Sequence, residues 1–186
     1  MIGFAMCGSY CTHRMALEQL RLLAEKGFSI QPVLSENVYA TDTRFGSASH
    51  LINQVEGICG RSVIHSVVDA EPLGPAGPLD ALIICPCTGN TLAKMAAGIT
   101  DSSVTMAAKA HLRGDRPLVI ALASNDALSA NLKNIATLLT RKCVYFVPLK
   151  QDDPQKKPHS LIADFSLLEP TLVSAMEGKQ LQKLFV

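Results

Sequence analysis

The sequence predicts an α/β fold, a single doubly wound, Rossmann-like three-layer α/β/α domain with a mainly parallel sheet. Three observations carry this. Short apolar runs alternate with stretches of helical periodicity along the chain. Two of the runs, Ala81–Cys85 and Leu118–Ala123, are continuously apolar, as strands covered on both faces must be. The length of 186 residues, at roughly 150 per domain, fits one unit, and 48% hydrophobic against 18% charged residues suffices for a large core.

The elements follow in order. Residues 2–6 (IGFAM) form an apolar run that stops at Cys7-Gly8-Ser9. From His13 to Lys26 the residues Ala16, Leu17, Leu20, Leu23 and Ala24 recur at helical spacing, with Thr12 as expected N-cap and Gly27 as stop. On the outer face Arg14–Glu18 and Arg21–Glu25 are the expected ion pairs. A second strand runs from about 29 to 35, and a helix from about 47 to 57. Residues 62–68 (SVIHSVV) read as β-rich, and Pro72, Gly74, Pro75, Gly77 and Pro78 then break regular structure.

Pro86 is expected to end the strand at 81–85, with a helix resuming near Asn90. After the strand at 118–123, Asp126 is placed as the cap of a helix running to about Lys142, followed by a strand at 143–147. A polar loop is expected at about 149–160, rich in charge and proline. The last helix spans 165–176, where Pro170 is tolerated only in a first turn or at a kink, and Gly178 ends it.

Composition narrows the function. Lys+Arg 17 against Asp+Glu 16 gives a net charge of +1, so no global field draws in nucleic acid or an anionic membrane, and 5% aromatic residues offer few base-stacking platforms. No apolar run has the roughly 18 residues that span a bilayer, and the first six residues lack the basic flank of a signal peptide, so a cytoplasmic protein is expected. The six cysteines then read as reduced thiols.

Right-handed crossovers place the strand at 29–35 on one side of the first strand and that at 81–85 on the other. Ligands bind beside such a reversal, at the carboxyl ends of the strands. The loops 7–12 and 86–91 are therefore the site candidates, with Ser35 and residues 124–126 at the same edge. Gly8, Ser9 and Thr12 lead into a helix start suited to a phosphate, although without a complete G-x-G-x-x-G the loop also reads as a plain turn. Thr88, Gly89, Asn90 and Thr91 form a second such start, and capping is their other reading. The thiols of Cys7, Cys11, Cys85 and Cys87 meet at one edge, which raises zinc or a redox pair as an alternative, yet no C-x-x-C knuckle is present and no metal is assigned.

One resemblance is specific. Residues 86–101 (PCTGNTLAKMAAGITD) resemble the P-A-S-A-N-T and A-K-x-A-x-G-I-x-D motifs of the flavoprotein family that includes phosphopantothenoylcysteine decarboxylase. Pro86, Asn90, Thr91, Ala93, Lys94, Gly98, Ile99 and Asp101 match. The resemblance implies a flavoprotein-type fold and FMN, with Thr88 and Asn90 lining the flavin and substrate site. Asn125 is what remains of the family's P-x-M-N motif. The decarboxylases' histidine has no counterpart in residues 69–75 (DAEPLGP), which disfavours decarboxylation.

The stretches 8–12, 43–46, 70–75 and 151–158 resemble one branch of that family, the B subunits of dipicolinate synthase. That branch implies a separate A subunit of dehydrogenase fold, carrying NAD(P), and oxidation of dihydrodipicolinate during sporulation; the wider family implies a homo-oligomer. The cofactor contacts expected are Gly8, Ser9, Thr12, Ser35, Thr88, Gly89, Asn90, Thr91 and Ser124. For the small dicarboxylate substrate they are Arg44, Asn90 and Asn125, because a planar dianion calls for forked cations and amide donors. Arg44 paired with Asp42 is the bland alternative, Lys156 and Lys157 a candidate lid, and no residue stands out as a base.

Overall fold

The computed structural model describes residues 1–186. Strand β1 (Ile2–Met6) is buried at every position. A 3-10 turn, Tyr10–Thr12, carries the chain into α1 (His13–Glu25), whose buried stripe of Ala16, Leu17, Leu20 and Leu23 matches the periodicity. Two expectations fail at this helix. Thr12 gives no side-chain cap, since the preceding turn folds its hydroxyl back to donate to the Ser9 carbonyl at 2.7 Å. Neither Arg14–Glu18 nor Arg21–Glu25 is among the ion pairs formed, consistent with the weak attraction of exposed pairs in the Arg-before-Glu order.

Strand β2 (Ile30–Leu34) pairs in parallel with β1. Ser35 then caps α2 (Glu36–Ala40), whose five residues are too few to show a periodic stripe in the sequence. Helix α3 (Ala48–Cys59) starts at Ser47 and runs past Gly57 to Gly60, which takes the left-handed conformation at φ +62°. The β-rich stretch 62–68 is not a strand. Only Ile64 bridges to Val33, because the Ser66 side chain accepts from the Asp69 amide and turns the chain into α4 (Val67–Ala70).

Strand β3 (Ala81–Cys87) does not stop at Pro86. The register against β4 (Leu118–Ser124) shifts between Ile84 and Cys87, so the missing proline amide is not demanded, while the Pro86 carbonyl accepts from Cys7 N at 3.1 Å. Helix α5 (Gly89–Ala97) closes at Gly98, and a capping box of Ser102 and Thr105 opens a separate helix α6 (Ser103–Leu112).

Asp126 does not cap a long helix. Its carboxylate is held by Ser124 and Asn131, the chain turns through 125–131, and only α7 (Leu132–Leu139) is helical. After β5 (Val144–Phe146), the expected polar loop contains β6 (Leu149–Gln151), and the chain then enters β7 (Leu161–Ala163). These two strands pair antiparallel, and three residues each are too few for alternation to be visible in the sequence. Helix α8 (Leu168–Met176) carries Pro170 in its first turn and stops at Gly178, φ +77°.

The seven-stranded sheet has the order β2-β1-β3-β4-β7-β6, with β5 also paired to β4. The order in which the chain visits the sheet reverses between β1 and β3, where the sequence places it. A continuous core of 47 buried apolar residues holds the layers together. No helix is long and apolar enough to cross a membrane.

Candidate functional site

The loops at the carboxyl ends of β1, β3 and β4 enclose a cavity of about 710 Å³. Of the expected residues, Gly8, Ser9, Thr12, Arg44, Thr88, Gly89, Asn90, Ser124 and Asn125 line it. Ser35 and Thr91 do not; they line an adjoining cavity of about 410 Å³, which shares Gly8, Tyr10, Thr88 and Asn90 with the first. The two spaces therefore meet along the start of α5.

One side of the larger cavity is a polar cluster that the sequence reading missed. Ser124 Oγ donates to Asp126 Oδ1 at 2.5 Å, and Asn131 Nδ2 lies 2.9 Å from both Asp126 oxygens. These bonds, the serine hydroxyl first, hold the Asp126 carboxyl below the usual carboxylate range. A depressed folded pKa contributes stability above the unfolded value of about 3.9, and that contribution is lost as pH falls through the folded value. In Asp126→Asn the fall of Tm below about pH 4 should be shallower than in the parent; parallel acid limbs would show that this carboxylate contributes nothing. The cluster packs directly on Gly89, the first residue of α5.

Thr88 and Thr91 are turned inward. Thr88 Oγ1 accepts from the Thr91 amide at 3.2 Å and donates to Thr91 Oγ1 at 3.1 Å, and Thr91 Oγ1 donates to Cys7 Sγ at 3.3 Å. This chain of hydroxyls ties the end of β1 to the start of α5, so the two threonines shape the cavities. Asn90 and Asn125 differ: both are exposed, and neither side-chain amide has a partner within the protein. They are free to bind a ligand.

Burial pushes the Cys7 thiol up to about 11, and raises Cys85 and Cys87 well above the ordinary thiol range, which opposes the thiolate form that metal ligation and redox chemistry use. Cys11 is exposed at the cavity wall. A thiol reagent such as Ellman's should therefore label Cys11 first, and Cys11→Ser should remove the fast phase. A fast phase that survives the substitution would place the reactive thiol elsewhere.

Arg44 is exposed, sits over the Phe45 ring at 4.9 Å and forms no ion pair with Asp42, whose Oδ1 instead accepts from Ala48 N at 2.8 Å. Its charge is uncompensated at the cavity edge. Lys157 also lines the cavity, but it is bound to Asp152. Lys156 does not line it. Tyr10, Leu161 and Ile162 complete the wall; the first stands in the quoted 8–12 stretch, whereas the others arrive only through the β6–β7 pairing. No histidine lines the cavity.

A doubly wound sheet with its crevice at this reversal, floored by the Thr88-Gly89-Asn90 turn, defines a flavoprotein-type protein. The chain belongs to the Flavoprotein family, whose model matches residues 1–165. It is 43% identical over 185 residues to the dipicolinate synthase B subunit of Bacillus subtilis strain 168, covering 100% of this chain and 92% of that one. The crystal structure of the dipicolinate synthase B subunit from Bacillus halodurans superposes with a TM-score of 0.91 at 42% identity, over 100% of this chain and 95% of the other. Burkholderia xenovorans DmrB in complex with FMN shares the fold at a TM-score of 0.68 and 17% identity, over 95% and 94% of the two chains.

Proposed function

We propose that the chain works with a separate, nicotinamide-binding A subunit of dipicolinate synthase to oxidise dihydrodipicolinate to dipicolinate during spore formation, as a cytoplasmic homo-oligomer. The full-length similarity to the B subunit of that enzyme supports this reading. The observation that carries it in the site is the convergence of Arg44, Asn90 and Asn125, whose side chains form no ion pair or hydrogen bond within the protein, on one cavity of about 710 Å³. A guanidinium and two carboxamides are the donors that a ring bearing two carboxylates requires. Oxidation of such a ring removes a hydride and a proton, and NAD(P) on the partner dehydrogenase is the proposed hydride acceptor.

The residues also fit FMN. The 710 and 410 Å³ cavities adjoin, each within the range of cofactor sites, and the free amides of Asn90 and Asn125 face the larger one. Gly8, Ser9, Ser35 and Asn90 would hold the cofactor, with Thr12, Thr88, Gly89, Thr91 and Ser124 shaping its walls. Bound there, FMN would supply a ring that accepts and returns electrons. The two carboxylates of the smaller cavity are already engaged, Glu36 by Ser103 and Asp101 by Lys94.

Absorbance spectra of the purified chain with and without added FMN, then dihydrodipicolinate oxidation with and without the dehydrogenase partner, test the two parts separately. A flavin band together with two-component activity is expected. Activity without any flavin band would remove FMN from the proposal, and activity that ignores the dehydrogenase would overturn the partnership. Asn90→Asp should lower the two-component rate by about tenfold or more, because a donor becomes a carboxylate facing a dianion, while assembly is unchanged. An unaltered rate would take Asn90 out of the site.

A further inference from the structure

A third cavity, of about 490 Å³, lies between α1, α3 and the loop 41–47. It is separate from the crevice but shares Tyr10, Cys11 and Phe45 with it. No aspartate or glutamate lines it. Two guanidiniums do, those of Arg14 and Arg21, and the ion pairs expected on α1 that would have neutralised them are not formed. Seven residues apart, they stand about 10 Å apart along the helix axis, close enough for two long side chains to converge on one ligand.

The surrounding groups keep that charge uncompensated. Asp42, the nearest acid in the wall loop's sequence, is committed to the Ala48 amide. His13 is buried with Nε2 on the Cys7 carbonyl, and burial lowers its pKa, so it remains neutral at pH 7. His50 and Gln54 on α3 add polar contacts, while Leu17, Leu51 and Phe45 supply apolar surface for a small ligand body. We infer that this cavity is a second ligand site, built for a small molecule with two negative charges gripped by Arg14 and Arg21. Such charge comes from a dicarboxylate or from a phosphate ester, and either would sit directly beside the crevice. The inference does not depend on flavin or on the dehydrogenase partner.

Titration calorimetry on the full chain, with dipicolinate and with inorganic phosphate as separate probes, tests it. At least one probe should bind the parent protein and weaken as salt is raised. The double variant Arg14→Gln/Arg21→Gln should lose about tenfold in affinity per guanidinium, while Arg44→Gln, in the crevice, should retain the site. Both substitutions in the double variant are on an exposed helix surface, and an unchanged Tm confirms the fold. Of the binding that the double variant loses, dipicolinate alone identifies a dicarboxylate site and phosphate alone a phosphate-ester site. Absence of both, a double variant that binds each probe as the parent does, or binding that disappears entirely in Arg44→Gln overturns the inference, whereas binding left in the double variant and lost on adding Arg44→Gln belongs to the crevice.

Discussion

Gly89→Ala should destabilise the protein by about 2 kcal/mol and abolish ligand binding in the 710 Å³ crevice. A Cβ at this position would lie 2.4 Å from Ser124 Oγ, 2.6 Å from Asn131 Nδ2 and 2.9 Å from Asp126 Oδ1. None of these atoms is a free side-chain end, because each is bonded into the cluster around the Asp126 carboxylate. Overpacking of this kind costs about 1–3 kcal/mol, and parting a charged hydrogen bond costs about 1.5–3 kcal/mol. The gain in helix propensity on leaving glycine is at most about 1 kcal/mol, so it does not offset the loss. Gly8→Ala is the control. Its Cβ would meet nothing nearer than Tyr10 Cε2 at 3.4 Å, and about 0.5 kcal/mol or less is expected. Urea unfolding of the two variants decides the matter: equal midpoints would mean that the cluster yields freely around Gly89.

Ile84→Ala should cost about 2–5 kcal/mol, and Ile84→Val only about 0.5–1.5 kcal/mol. Ile84 is fully buried at the middle of the sheet, paired with Ala5 on one side and with Ile120 on the other. Truncation there opens a cavity between the sheet and the layer packed on its face, and the ladders that hold β3 to β1 and β4 keep the sheet from collapsing into it. Against a total stability of about 5–15 kcal/mol, a loss at the upper end leaves the fold marginal. The residue also precedes the register shift that delivers Thr88 to the crevice, so ligand affinity should fall with stability. Thermal and urea unfolding provide the measurement, and an alanine variant no weaker than the valine variant would refute the rigid-core account.

Much of the fold was legible because burial leaves a local signature. The all-apolar runs of β3 and β4 and the stripe of α1 are readable as written, and right-handed crossovers then leave one place for the sheet reversal. Asn90 and Asn125 could be picked out by their motif, and their positions after β3 and β4 put both at the crevice. Pro86 misled the reading, since a proline ends a strand only where its amide is required, and here a shift in register removes that requirement. Asp126 misled it too, because a carboxylate followed by apolar residues looks the same whether it caps a helix or accepts from Asn131 five residues on.

The layers, the reversal point and the family motif rest on periodicity or on contiguous residues, and so they can be read along the chain. Which donors are free is set by the folded arrangement. It engages Thr88 and Thr91 with each other and with Cys7, leaves Arg44 without Asp42, and brings the β6–β7 hairpin against the crevice. It also leaves Arg14 and Arg21 without acid partners around a cavity that no local pattern announces. The physical reason is that a polar group's availability depends on every competing partner within about 3 Å, and those partners come from segments far apart in the chain.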